Sequence, residues 1–140
     1  MNKRQLEEYL KECFKDVSYH DDLSREILAI LKNSGCEAEF VKIFKKRVKF
    51  LKETGRFAVN NENFKKLKKC SSLWRIKICI KKLNIRIIYT YTRESDFILL
   101  HAFFEKGDKN VDNYDSHANI AKVRMEEIEN EAKKRDRKRI

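Results

Sequence analysis

The sequence has no proline and only three glycines in 140 residues, which predicts long regular elements joined by few flexible linkers. Its four cysteines are widely spaced and form no CxxC pair, an arrangement that argues against a metal site. No run approaches the roughly 18 apolar residues of a transmembrane helix, and the first residues lack the apolar core of a secretory signal. We therefore expect a cytoplasmic protein with reduced thiols that needs no metal, cofactor or membrane.

Acidic residues are absent from residues 64–86, although the chain as a whole is rich in both signs of charge. The formal net charge is +11, and residues 64–140 contribute +9 of it, with 20 basic and 11 acidic side chains. An excess this localised favours an anionic partner such as nucleic acid, while a general enrichment in lysine is the alternative for the lysines alone. The basic residues of 64–86 are Lys65, Lys66, Lys68, Lys69, Arg75, Lys77, Lys81, Lys82 and Arg86.

Helical periodicity dominates the first part of the chain, residues 1–63. Apolar side chains recur at helical spacing in residues 3–17, 22–33 and 37–53, which predicts three helices. Asn2 and Gln5 fall at the two positions of a capping box, and glycines at 35 and 55 supply stop signals. A loop over 56–63 and a short basic turn or helix over 64–69 are expected to lead into the strands.

Strand-like alternation follows in residues 73–80, 83–92 and 96–106. In the first of these strands Trp74 and Ile76 alternate with Arg75 and Lys77, so one face is apolar and the other basic. The third contains FILLHAFF, which is apolar on both faces and typical of a strand covered on both sides. Short links predict an antiparallel meander.

A last helix is predicted to begin near residue 116, and the basic tail 129–140 is expected to fray. We therefore predict a single α+β domain. Its parts are a helical segment over 1–63, an antiparallel sheet of three to four strands with the last helix over 64–128, and the tail.

Several short motifs occur in a familiar order within residues 64–128, about half of the chain. Lys-Leu-Lys precedes Leu-Trp-Arg-Ile, then come Ile-Arg-Ile-Ile-Tyr and Leu-Leu-His-Ala-Phe-Phe-Glu-Lys, and last a helix with Ile-Ala-Lys-Val-Arg-Met-Glu-Glu-Ile. This order resembles the phage-derived branch of the RelE/HigB-type toxins of type II toxin–antitoxin modules. The N-terminal residues match only in being helical, and no first strand is evident before them.

The resemblance implies a RelE-like fold and a metal-independent endoribonuclease that cuts messenger RNA on the ribosome and so inhibits translation. It also implies a cognate antitoxin, encoded by an adjacent gene, that masks the toxin. Two alternatives stay open because fold does not fix function. One is a ParE-like toxin that inhibits DNA gyrase without nuclease activity, and the other is a phage protein that only binds nucleic acid.

The resemblance also suggests which side chains carry the reaction. Arg75 and Lys77 on the first strand and Arg86 on the second would hold the scissile phosphate and stabilise its added charge. A solvated sheet face is the alternative for these three, but converging cations repel one another without an anion. The choice of proton donor and acceptor stays open. The remaining candidates for catalysis are Lys106 or Lys109 after the third strand and Tyr114 before the last helix, and those for RNA binding are Lys65, Lys66, Lys68, Lys69, Lys81 and Lys82.

His101 lies within the apolar third strand. A single histidine in that setting is more often a hydrogen-bonded core residue than a catalyst, and both roles are kept as hypotheses. Trp74, Tyr89 and Tyr91 share the apolar faces and are expected to belong to the core rather than to stack on bases.

Overall fold

The computed structural model describes residues 1–81, 83–92, 96–105 and 114–138. Within these residues five strands form one sheet in the order β1-β5-β4-β3-β2, with helices on both faces. The chain is therefore α+β, as predicted. The elements are α1 (Lys3–Cys13), β1 (Ser18–Tyr19), α2 (Leu23–Leu31), α3 (Glu37–Thr54), a 3₁₀ helix (Gly55–Asn60), β2 (Phe64–Leu67), β3 (Cys70–Ile80), β4 (Leu83–Tyr91), β5 (Phe97–Glu105) and α4 (Tyr114–Lys138).

The sheet is mixed, and two of its strands differ from the prediction. Strands β2 to β5 pair antiparallel in chain order, but β1 pairs parallel to β5 at the edge. A two-residue strand such as β1 is too short to give a periodicity signal. Residues 64–67, predicted as a turn or helix, form β2 because Phe64 is fully buried and pairs with Ile76. Two adjacent lysines, Lys65 and Lys66, hide the alternation in this strand.

Helices α2 and α3 pack on one face of the sheet, and α1 packs against α2 and α3. Phe40 and Phe44 of α3 pack there in one buried cluster with strand residues that include Ile76, Ile87 and Tyr89. The alternation in β3 thus places its apolar side chains against the helices, as the sequence predicts. Burial of residues this large supplies most of the driving force for folding, about 1.5–3 kcal/mol for each side chain.

Helix α4 covers part of the opposite face. Ala118 and Ala121 pack there against Leu73, Ile88 and Leu100. Strand β5 is therefore buried on both faces. Its adjacent residues Leu99 and Leu100 belong to the apolar clusters on the α3 side and the α4 side of the sheet, respectively. The prediction that this strand is covered on both faces is confirmed, but the strand lies next to the edge of the sheet, where the two-residue β1 pairs only with Ile98 and Leu99. α4 begins at residue 114, two residues before the predicted start, and remains helical to Lys138, well into the segment that was expected to fray.

Local signals explain the other helix ends. The Asn2 side chain accepts a hydrogen bond from the Gln5 amide at 2.8 Å, and the Gln5 side chain accepts one from the Asn2 amide at 3.2 Å, which confirms the capping box. α1 ends at residue 13 rather than 17, and Asp16 at φ 59° redirects the chain toward β1. Within the described residues, none of the helices is long and apolar enough to cross a membrane.

Candidate active site

Cross-strand pairing brings the three predicted strand cations together. Lys77 of β3 lies directly opposite Arg86 of β4, and Arg75 lies two residues along β3 on the same face as Lys77. Like charges placed opposite each other on a sheet are destabilising. The arrangement therefore costs folding free energy, which an anion bound between the strands would offset.

These cations line a cavity of about 620 Å³ between the sheet and the start of α4. Strand β2 and its turn into β3 form one side, and Tyr114, Asp115 and Ala118 of α4 form the other. Among the described residues, seven basic side chains face two acidic ones across this space, so this part of the lining carries a net positive charge. The basic lining residues are Lys65, Lys66, Lys68, Lys69, Arg75, Lys77 and Arg86, and the acidic ones are Glu105 and Asp115.

Arg86 is buried at the floor of this cavity and is only 7% exposed. Its Nη2 contacts Glu105 Oε2 at 3.2 Å, its Nε donates to the Tyr114 hydroxyl at 3.3 Å, and its Nη1 donates to the carbonyl of Ile85 at 3.2 Å. The alternative of a solvated sheet face is therefore wrong for Arg86, because Tyr114 at the start of α4 packs over it. These bonds hold the guanidinium in one orientation before any ligand binds.

Arg75 differs from Arg86 in having an unsatisfied donor. Its Nη1 is buried and has no hydrogen-bond partner in the part of the chain that the structure describes. Burial lowers the pKa of Arg75, Tyr114 opposes this effect, and Arg86 adds to it. A buried N–H group without a partner costs about 1–3 kcal/mol, a cost that an anionic oxygen in the cavity would remove.

Tyr114 joins the cations at the cavity wall. Burial raises the pKa of Tyr114, and the neighbouring Glu105 carboxylate raises it further, while Arg86 opposes the increase. The hydroxyl therefore keeps its proton at neutral pH and can act as a donor. The structure thus places this predicted residue beside Arg86 although it lies a few residues before the position that the resemblance implies.

Glu105 is a member of the site that the sequence analysis did not identify. Its side chain is 15% exposed, and one carboxylate oxygen binds Arg86. The other oxygen, Oε1, is buried without a hydrogen-bond partner among the described residues. Alternation in β5 puts Glu105 on the face of Phe103, but only the register of the structure, in which Phe103 pairs with Arg86, brings this face to the arginine.

The four lysines of β2 and its turn occupy the rim of the cavity. Lys69 pairs with Asp115 at 3.2 Å, but both side chains are largely exposed, so this bridge adds little stability. Lys66 lies 5.7 Å from the ring centroid of Trp74. Lys81 is exposed in the turn between β3 and β4, at φ 48°, and does not line the cavity. The other predicted lysines, Lys82, Lys106 and Lys109, lie outside the described residues.

His101 lies outside the cavity, in a hydrogen-bonded chain that joins three elements. Its Nδ1 contacts Glu26 Oε2 of α2 at 2.7 Å, and its Nε2 contacts His117 Nδ1 of α4 at 2.7 Å. With 4% of its surface exposed, His101 is a core residue, and this geometry fits its structural role better than a catalytic one. Tyr89 and Tyr91 are also buried, and Trp74 packs against the same cluster.

Glu26 and Arg124 complete this network and cover the edge of β5 beyond the short β1. Two hydrogen bonds join the Arg124 guanidinium to the Glu26 carboxylate, at 2.7 and 2.9 Å. Glu26 also accepts from the Ala102 amide at 3.2 Å, and Arg124 donates to the Leu100 carbonyl at 2.9 Å. The ion pair thus satisfies strand groups that a neighbouring strand would otherwise bind. It also fastens α4, and with it Tyr114, to the sheet.

Within residues 1–81, 83–92, 96–105 and 114–138, no group of three or more His, Cys, Asp or Glu side chains is placed to hold a metal ion. No family model, curated protein or solved structure matches the chain. The resemblance to RelE/HigB-type toxins therefore stays a prediction. The cavity and its charged lining are the observations from which a function can be inferred.

Proposed function

We propose that this protein is a toxin of a type II toxin–antitoxin system, of the RelE/HigB type, and that it cleaves messenger RNA on the ribosome. One observation carries the proposal. Arg75, Lys77, Arg86 and Tyr114 meet in a single cavity whose rim carries four lysines. Residues that lie up to 39 positions apart in the sequence thus supply both phosphate-binding charge and a proton donor in one place.

The lining supports a phosphodiester as the ligand. Arg75 offers a buried donor that has no partner in the described residues, and Lys77 adds a charge on the same face. Arg86 is held in place before binding by its bonds to Glu105 and Tyr114. Cations fixed in this way stabilise the extra negative charge of a pentacoordinate phosphorus, and one such donor is worth about 3–4 kcal/mol.

The size of the cavity supports a single strand as the substrate. A volume of about 620 Å³ is that of a small-molecule site, and such a space fits one or two nucleotides. Proteins that read RNA duplexes instead use wide surfaces that span successive grooves. A message held extended on a ribosome presents single-stranded nucleotides of this kind. This activity would place the protein in the cytoplasm with ribosomes and messages.

A cognate antitoxin is the second partner of this proposal. Because the cavity and its rim are strongly basic, a protein that covers them with acidic side chains would exclude RNA. Expression of the toxin without such a partner is expected to stop growth by cutting translated messages.

The test is a cell-free translation reaction with the purified protein, followed by mapping of messenger 5′ ends. We expect new ends within translated codons, and no cleavage of a matched message that lacks a start codon. The fragments should carry 2′,3′-cyclic phosphate and 5′-hydroxyl ends, since the 2′-hydroxyl is the nucleophile. Intact messages together with inhibited DNA gyrase would favour the ParE-like alternative. RNA binding without cleavage would favour the alternative of a phage protein that only binds nucleic acid.

A further inference from the structure

The cavity holds two groups whose chemistry its guanidinium groups cannot supply. Arginine stays protonated in proteins, so neither Arg75 nor Arg86 can accept a proton from a nucleophile. Glu105 is a buried carboxylate and Tyr114 a buried phenol, and both line the same cavity. The second acidic lining residue, Asp115, is instead 61% exposed and pairs with Lys69 at the rim.

Arg86 fixes Glu105 and Tyr114 beside each other. Its Nη2 binds the carboxylate at 3.2 Å and its Nε binds the phenol oxygen at 3.3 Å. The carboxylate and the phenol are thus bound by the same planar guanidinium, which fixes their relative orientation. Arg86 is anchored in turn to the Ile85 carbonyl. Oε1 of Glu105 is buried and makes no hydrogen bond of good geometry among the described residues, so it keeps the capacity to accept one, although the carboxylate is close enough to Tyr114 to raise the pKa of its hydroxyl.

We propose that Glu105 accepts the proton of the attacking 2′-hydroxyl and that Tyr114 donates a proton to the leaving 5′-oxygen. This assignment rests on the proposed ribonuclease function. The bond between O2′ and phosphorus forms, the bond between phosphorus and O5′ breaks, and the products are a 2′,3′-cyclic phosphate and a 5′-hydroxyl. Glu105 then returns its proton to the Tyr114 phenolate, so the protein regains its starting state without a co-reactant.

The surroundings of each group suit these roles. Burial and the adjacent carboxylate raise the pKa of Tyr114 and keep the phenol protonated, while Arg86 opposes the increase and would stabilise the phenolate that remains after the proton is donated. Arg75 and Lys77 lie on the neighbouring strand, where they can hold the non-bridging phosphate oxygens between donor and acceptor.

Two substrates separate the proton acceptor from the proton donor. After the cleaved codon has been mapped, one message is made with the natural oxygen at the leaving position and one with a bridging sulfur. A thiolate leaves without being protonated, so the sulfur message needs the acceptor but not the donor. Cleavage is measured on translating ribosomes in single turnover, with the toxin in excess.

We expect Glu105→Gln to slow the cleavage of both messages by about 100-fold or more, the usual contribution of a general base. Tyr114→Phe should slow only the oxygen message by a comparable factor and should cleave the sulfur message at nearly the wild-type rate. The matched controls are Glu53→Gln and Tyr9→Phe, which make the same chemical changes at exposed positions of α3 and α1. Both controls should leave the two rates unchanged.

Each contrary outcome has a distinct meaning. Near-wild-type cleavage rates for Glu105→Gln would overturn the role of Glu105 as the proton acceptor. Equal losses of rate on both messages for Tyr114→Phe would overturn the role of Tyr114 as the proton donor. The ribonuclease function would be intact in both cases. No cleavage by the wild-type protein would refute the function and this assignment together. Glu105→Ala is also assayed, with added formate, a small carboxylate that can occupy the vacated space beside Arg86. Formate should restore the rate, and a folded Glu105→Ala protein that formate fails to rescue would overturn the role of Glu105 as the proton acceptor.

Discussion

Replacing Glu26 with glutamine is expected to lower the free energy of unfolding by about 3 kcal/mol at neutral pH. Glu26 is the common acceptor for Arg124, His101 and the Ala102 amide, and its side chain is 18% exposed. Loss of its charge leaves Arg124 partly buried without its main partner. Removal of one member of such a pair is strongly destabilising, by about 3–5 kcal/mol when burial is complete.

The pKa of Glu26 gives a second value, of similar size, for the contribution of this carboxylate to the free energy of unfolding. Burial alone would raise it, but hydrogen bonds from His101 and Arg124 lower it from 4.5 to about 2. Because lowering a pKa by one corresponds to about 1.4 kcal/mol, the ionised carboxylate contributes roughly 3 kcal/mol to stability. Because the folded pKa lies below the unfolded one, this stability is complete above pH 4.5 and is lost as the pH falls toward 2.

Urea unfolding at several pH values, followed by the fluorescence of Trp74, measures this contribution. The difference between wild type and Glu26→Gln should be about 3 kcal/mol at pH 7 and should fall to about half of that at pH 3. Glu53→Gln, at an exposed position of α3, serves as the charge-matched control and should change stability by less than about 0.5 kcal/mol. A Glu26→Gln protein as stable as this control would refute the idea that the network fastens α4 to the sheet.

Three further predictions concern the basic cavity and the histidines. Arg86→Met should cost about 3 kcal/mol because it leaves the Glu105 carboxylate buried and unpaired, and Arg86→Met combined with Glu105→Met should recover most of that loss in urea unfolding. Binding to single-stranded RNA should weaken with salt at a slope of about −3 in log affinity against log salt, as expected for four or five phosphate contacts; a slope near zero would exclude electrostatic binding. Burial and His101 lower the pKa of His117, so its contribution to stability should be lost as the pH falls below 6.5, a loss that should be missing in His117→Asn.

The antitoxin of the proposed module offers a test in cells. Co-purification with the product of a neighbouring gene should yield a partner that is acidic where it covers residues 64–86. A neutral or basic partner that leaves this region accessible to solvent would contradict masking.

The sheet was predictable where local alternation and burial agree. In β3 and β4 most apolar residues occupy the face toward α3, and the cations lie on the other face together with Leu73 and Ile88. This alternation was enough to bring Arg75, Lys77 and Arg86 together. The two-sided burial of β5 followed from its continuous apolar run. Short edge strands carry much weaker signals. β1 has two residues, and adjacent Lys65 and Lys66 hide the pattern of β2.

The parts of the site that the sequence did not reveal depend on contacts between distant residues. Arg86 is buried because α4 packs on the sheet, and α4 is held there by Arg124 and Glu26, which are 98 positions apart. Glu26 and Arg124 are too far apart for any local pattern to include both. Strand periodicity therefore places Arg86 on one face of the sheet without showing that α4 covers that face. The same limit hid Glu105, whose role depends on its contact with Arg86.

The central claim is that RNA is cleaved in this cavity, where the cations bind the scissile phosphate and stabilise its added charge. A charge-matched pair of double variants tests it most directly. Arg75→Gln with Lys77→Gln removes two cations from the cavity, and Lys42→Gln with Lys46→Gln removes two exposed cations from α3 on the other face. Cleavage of a translated message is measured for both, together with their thermal melts. We predict a loss of at least about 100-fold for the cavity variant with an unchanged or slightly higher melting temperature, and wild-type cleavage for the α3 variant. Equal cleavage by the two folded variants would contradict the assignment of this cavity as the active site.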